Sequence, residues 1–148
     1  MKLKNVLSTN VVNVSLKGES KQEILEELLD ILMESGKVSD REEALKGLLS
    51  REKKMSTGIQ YGVAIPHAKT KAVKELIACI GIKKEGVDFA ALDGVDSTIF
   101  FMTLSPVDKT GPHVQFLAEI SMVVKTEEAR AKLLKVTTAA EVLSIFGL

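Results

Sequence analysis

The chain has 148 residues, 45% of them hydrophobic and 27% charged, and 20 basic residues balance 20 acidic ones for a net charge of +0. That length suits one domain, spanning residues 1–148, with enough apolar side chains for a real core. The balance excludes the basic excess of a nucleic-acid binder, the single cysteine excludes an internal disulfide framework, and no stretch approaches the ~20 apolar residues of a membrane span.

In chain order, the first twenty residues lack an uninterrupted apolar core and a small-residue cleavage site, so they do not read as a signal peptide. With Cys79 as the one thiol, a reducing, cytoplasmic setting without membrane insertion is the expectation. Val11 to Leu16 alternates Val12, Val14 and Leu16 with Asn13 and Ser15, which predicts a half-buried strand ending at Gly18. Ser20 to Glu23 reads as a capping box ahead of a helix carrying Ile24, Leu25, Leu28, Leu29, Ile31 and Leu32, stopped by Gly36. A second box, Ser39 to Glu42, opens an amphipathic helix through Ala44, Leu45, Leu48 and Leu49 to about Lys54.

A glycine-punctuated loop (Gly58, Gly62) leads into a short strand, Val63 to Ile65, which halts at Pro66, and His67 follows. Proline lacks a backbone donor and fixes its own φ, so His67 is expected at a strand end on the lip of a sheet. Glu75 to Lys84 holds the run LIACIGI, a strand covered on both faces and the expected partner of Val63 to Ile65. Cys79 within it is a small buried hydrophobe. Ser97 to Leu104 is a third strand. Pro112 fits the first position of a helix carrying Phe116, Leu117, Ile120, Val123 and Val124. Thr126 and Thr138 cap two further short helices. Strands interleaved with helices give an α/β fold: a single-domain mixed β-sheet with helices on both faces.

The chain carries no GxGxxG after a strand, no GxxxxGK[ST], no HExxH, no GxSxG and no CxxC, so nucleotide and zinc-protease chemistries lack their motifs. A metal held by the two histidines would need carboxylate help, for instance from Asp108, and no metal or cofactor is expected. His113, in the first turn of its helix, heads the stripe of Leu117, Ile120 and Val124 and so looks toward the sheet rim, beside a helix N-terminus that welcomes anions. A plain hydrogen-bonded histidine beside a cap is the alternative. Histidine is a natural covalent phosphate carrier, since near pH 7 it offers a neutral, nucleophilic nitrogen. The basic residues Arg51 to Lys54, Lys69, Lys71 and Lys74 form either a solvated face or a dock for an acidic partner.

Gly62-Val63-Ala64-Ile65-Pro66-His67-Ala68, with Ser56-Thr57-Gly58 before it, resembles the phosphorylation-site signature of enzyme IIA of the phosphoenolpyruvate-dependent sugar phosphotransferase system, fructose/mannitol type, which includes nitrogen-regulatory members. Arg51-Glu52-Lys53, Gly86-Val87-Asp88-Phe89 and His113 to Ala118 extend the resemblance over nearly the whole chain. Many relatives have glycine where this chain has Ala68, which restricts the backbone slightly. The resemblance implies that His67 accepts a phosphoryl group from phospho-HPr and passes it to a IIB domain of a sugar permease, making the chain a phosphotransferase component acting through a phosphohistidine. It implies that His113 and Arg51 stabilise that group. Periodicity does not select Arg51, since Glu52 borders the helix stripe equally well. The alternative the resemblance leaves open is a nitrogen-regulatory module whose phosphorylation state controls protein partners. With no IIB-like or membrane segment in the sequence, a free-standing IIA protein or a detached piece is expected. A relay residue reached by one protein and emptied by another should sit on a shallow docking face.

Overall fold

A central strand, β5 (Ser97–Ser105), organises the sheet in the computed structural model, which describes residues 3–148. The other strands are β1 (Val12–Asn13), β2 (Val63–Ala64), β3 (His67–Lys69) and β4 (Ile77–Val87); the helices are α1 (Lys21–Glu34), α2 (Arg41–Lys54), α3 (Gly111–Val124), α4 (Glu127–Leu133) and α5 (Ala139–Ile145). The order is β1-β4-β5-β2, with β3 also on β5; β4 and β5 are antiparallel and the remaining pairs are parallel. A mixed sheet with helices on both faces is therefore what forms.

Local signals set most helix starts. Ser20, Thr126 and Thr138 each accept from the backbone N–H three residues on, satisfying a donor the helix leaves unpaired. At α2 the cap is Asp40, bonded to the Glu43 N–H, rather than Ser39. Ser39 is taken up by the Ala72 carbonyl, to which both its N–H and its hydroxyl donate.

Strand alternation sends side chains to two layers. On one side, the Cys79 thiol donates to the Leu28 carbonyl of α1 at 3.5 Å, and a Cβ on Gly81 would stand 2.6 Å from Leu16 Cδ1 and 2.7 Å from Leu28 Cδ2. Glycine lets α1 approach that closely. On the other side, Phe101 packs edge-on against Phe146, just past α5, with centroids 5.8 Å apart. Phe89, Phe100, Phe101 and Phe116 are fully buried, and each such ring contributes about 1.5–3 kcal/mol relative to exposure.

Expectations for the strands change as well. The predicted first strand shrinks to Val12–Asn13, because Val11 ends a 3₁₀ turn and the Asn13 side chain accepts from the Ser15 N–H, a turn that interrupts the ladder before the Leu16 N–H reaches the Ile82 carbonyl. The partner of Val63–Ala64 is β5, with Val63 opposite Ile99, and not the LIACIGI strand, which lies between β1 and β5. Finally, Pro66 interrupts the edge strand without ending it: pairing with β5 resumes at His67, opposite Thr103. Pro66 still serves as acceptor, from the Thr103 N–H at 3.0 Å.

Candidate active site

A hairpin delivers His67. The Gln60 carbonyl accepts from the Val63 N–H across a turn whose central residues, Tyr61 and Gly62, have φ of 58° and 78°. Two successive left-handed residues are the mark of a tight hairpin turn, and glycine suits the second. The Gly62 carbonyl then accepts from the Thr98 and Ile99 N–H groups, which locks the hairpin to the start of β5. From there the chain passes through β2 and the Ile65-Pro66 break into His67.

His67 and Thr103 are parallel-strand partners, so their side chains share a face of the sheet. His113, third residue of α3, closes over that face. The two imidazole rings lie 4.8 Å apart between centroids with a 39° tilt, and His113 Nδ1 is 3.1 Å from Thr103 Oγ1. The buried stripe of α3 is Phe116, Ile120 and Val124, with Leu117 only half-buried, so His113 heads the stripe through Phe116, three positions on. Pro112 is the second helical residue, not the first.

His67 Nδ1 lies 2.8 Å from the Ile65 carbonyl. A carbonyl can only accept, so Nδ1 carries the proton and Nε2 keeps the lone pair. Burial of the ring lowers the His67 pKa below 6.5; the Ile65 bond opposes this, the Arg51 charge lowers it further, and the Glu52 charge raises it. His113 is pushed down to about 4 by burial, then by His67 and Lys69. Both rings are thus neutral near pH 7, and His67 presents a nucleophilic Nε2.

Arg51 and Glu52 separate here, as periodicity could not separate them. Glu52 turns inward to Thr57 and Lys21, while Arg51 stays half-buried, donates to the Met55 carbonyl at 2.8 Å, and lies near enough to act on His67 electrostatically. Lys53, Lys54, Lys69, Lys71 and Lys74 are exposed. Lys69 Nζ donates to the Thr110 hydroxyl at 2.8 Å, and Thr110, the residue before α3, makes no side-chain cap.

Thr103 and Thr110 are the site residues that sequence reasoning did not single out, and Lys69 stood there only as part of a basic face. Only the strand register and the helix approach bring them to the histidines. A surface hollow of about 430 Å³ is edged by Lys71, Lys74 and Lys109. Both histidines are half-buried. Among the described residues no helix is long and apolar enough to cross a membrane.

The family profile described as "Phosphoenolpyruvate-dependent sugar phosphotransferase system, EIIA 2" matches residues 5–147. A fructose-specific EIIA component of Haloferax volcanii is 36% identical over 128 residues, covering 86% of this chain and 83% of that protein. A fructose-specific EIIABC component of Bacillus subtilis is 31% identical over 99% of this chain, which spans only 23% of that relative's length. Among solved structures, the nitrogen regulatory protein IIA-Ntr of Neisseria meningitidis superimposes with a TM-score of 0.85 at 29% identity, covering 97% of this chain and 98% of that one.

Proposed function

This chain belongs to the EIIA 2 family of the phosphoenolpyruvate-dependent sugar phosphotransferase system, a family of phosphoryl-transfer components, and on that premise we propose that His67 is the residue that carries the phosphoryl group. The observation that carries the reading is the bare Nε2 that the Ile65 bond to Nδ1 leaves on His67, on a ring whose centroid lies 4.8 Å from that of a second neutral histidine.

In the step, the His67 Nε2 lone pair forms a bond to phosphorus as the donor's N–P bond breaks and its electron pair returns to the donor nitrogen. The Nδ1 proton stays on His67, held by the Ile65 carbonyl, which meets the positive charge that develops on the ring. His113 donates from its free nitrogen to a phosphoryl oxygen, and Arg51 supplies positive charge close by. Splitting one transfer into two in this way lets two proteins exchange phosphate without meeting. The donor is phospho-HPr and the acceptor a IIB domain of a sugar permease; the EIIABC composition of the Bacillus relative's name supports a B partner. Half-buried histidines flanked by the exposed Lys69, Lys71 and Lys74 suit such macromolecular partners.

The test is incubation with phosphoenolpyruvate, enzyme I and HPr. An acid-labile phosphoprotein is expected, and it should empty onto a IIB domain. Labelling of His67→Ala at the wild-type level would remove His67 from the role.

A further inference from the structure

The hydrogen bond between Thr103 and His113 assigns a role to a residue that no signature marks. Thr103 is 1% exposed, so water does not reach its hydroxyl, and the side-chain partner the structure gives Oγ1 is His113 Nδ1 at 3.1 Å. Two arrangements satisfy that distance. If His113 Nδ1–H donated, the Thr103 O–H would be a buried donor with no acceptor, the more costly kind of unmet group. If the Thr103 O–H donates, its proton is used and only lone pairs go unfilled. The second arrangement is favoured, and it leaves the proton of a neutral His113 on Nε2.

We infer that Thr103 is a positioning residue which, by donating its hydroxyl to His113 Nδ1, fixes the Nε2–H tautomer and turns His113 into a hydrogen-bond donor toward the group carried on His67. This deepens the reading of the site given above and rests on it. It also explains how His113 donates without a positive charge, since a neutral imidazole has one N–H and must have it on the correct nitrogen. The two histidines then hold opposite tautomers: Nδ1–H on His67, set by Ile65, and Nε2–H on His113, set by Thr103. One ring offers a lone pair and the other a proton, and the nucleophile and the donor do not compete for the same role.

The experiment uses the whole chain in two parts. Long-range ¹⁵N–¹H NMR of the unphosphorylated protein reads each ring's tautomer directly and needs no partner proteins. In the wild type His113 should be Nε2–H; Thr103→Ser should keep it so; Thr103→Val, equal in size, should shift His113 toward Nδ1–H while leaving His67 unchanged. Phosphoryl uptake from HPr should then fall about five- to tenfold in Thr103→Val, the worth of about one hydrogen bond, and return to within about twofold of wild type in Thr103→Ser. A wild-type His113 in the Nδ1–H form overturns the inference, even if Thr103→Val does not fold. So does a Thr103→Val protein that keeps Nε2–H. A wild-type protein that shows the expected tautomers but takes no phosphate at His67 would instead overturn the reading of the site, so the two failures are distinguishable.

Discussion

Glu52 accepts two hydrogen bonds from Thr57, from the backbone N–H at 2.8 Å and from the hydroxyl at 2.5 Å, while Lys21 Nζ stands 2.6 Å from the same carboxylate. Thr57 in turn accepts from the Ile65 N–H at 2.9 Å, and the Ile65 carbonyl holds His67 Nδ1 at 2.8 Å. An ion pair with its carboxylate buried, joining the start of α1 to the last turn of α2, thus fixes the hairpin arm from which the histidine is hung. The Lys21 ammonium also lies 4.9 Å over the Phe89 ring, and Ser56, bonded to the Phe89 carbonyl, braces the same loop.

Replacing Glu52 by alanine should therefore destabilise the protein by about 2–3 kcal/mol, because two Thr57 donors lose their acceptor in a buried place. The cost stays below that of a fully interior pair because the Lys21 side chain is 26% exposed and can turn to water. Glu52→Gln keeps an acceptor for Thr57 and should lose less than Glu52→Ala. Urea unfolding measures both, and an unchanged midpoint in Glu52→Ala would mean that this pair does not hold the hairpin.

Much of this arrangement was legible because it is local. A cap such as Ser20, Thr126 or Thr138 works over three residues, so its chemistry is written in the sequence beside it. Apolar runs and Pro112 mark the strands within 75–84 and 97–104 and the helix from 112, while β4 runs on past the apolar run through Lys83, Lys84 and Glu85 to Val87. Pairing was less legible: Val63–Ala64 and the LIACIGI strand are neighbours in sequence, yet β5 intervenes in space. Pro66 suggests the end of a strand, yet an edge strand can lose one donor and resume pairing at His67. Asp40 displaced Ser39 as a cap because a distant carbonyl, that of Ala72, claims Ser39. At the site, the two histidines could be named from the sequence, but Thr103 could not. Its importance depends on register with His67 and on where α3 lands.

If the Ile65 carbonyl holds the Nδ1 proton, phosphate on His67 must sit on Nε2. NMR of ³¹P-labelled protein, with ¹⁵N-labelled histidine, distinguishes the two phosphohistidine isomers by which ring nitrogen couples to phosphorus. The expected product is the Nε2-linked isomer alone. An Nδ1-linked product would show that the Ile65 bond breaks before transfer.

The charges flanking His67 act on it with opposite sign: Arg51 lowers its pKa and Glu52 raises it. Arg51→Gln should accordingly raise the His67 pKa and Glu52→Gln should lower it, read from the C2 proton shift against pH. Arg51→Lys preserves the charge, so the pKa should stay near wild type, yet transfer should slow because the lysine ammonium lacks the planar fork of donors. A fall in the His67 pKa in Arg51→Gln would contradict the placement of that guanidinium beside the ring.

Both histidines also make stability depend on pH, with a sign that follows from their lowered values. An unfolded chain protonates histidine near 6.5, whereas the folded protein holds His113 at about 4 and His67 below 6.5. Between those limits the unfolded state binds more protons, so stability falls as pH drops through 6.5 and goes on falling toward 4. Lys69 beside His113 and Arg51 beside His67 add to the effect, and Glu52 opposes it at His67. Glu141, whose pKa is lowered by the Thr137 and Thr138 hydrogen bonds, loses its advantage only as pH falls below the ordinary glutamate value of 4.5. The loss between 6.5 and 4.5 therefore belongs to the histidines. His113→Asn should flatten the urea midpoint across that interval, and a mutant slope as steep as that of the wild type would place the titration elsewhere.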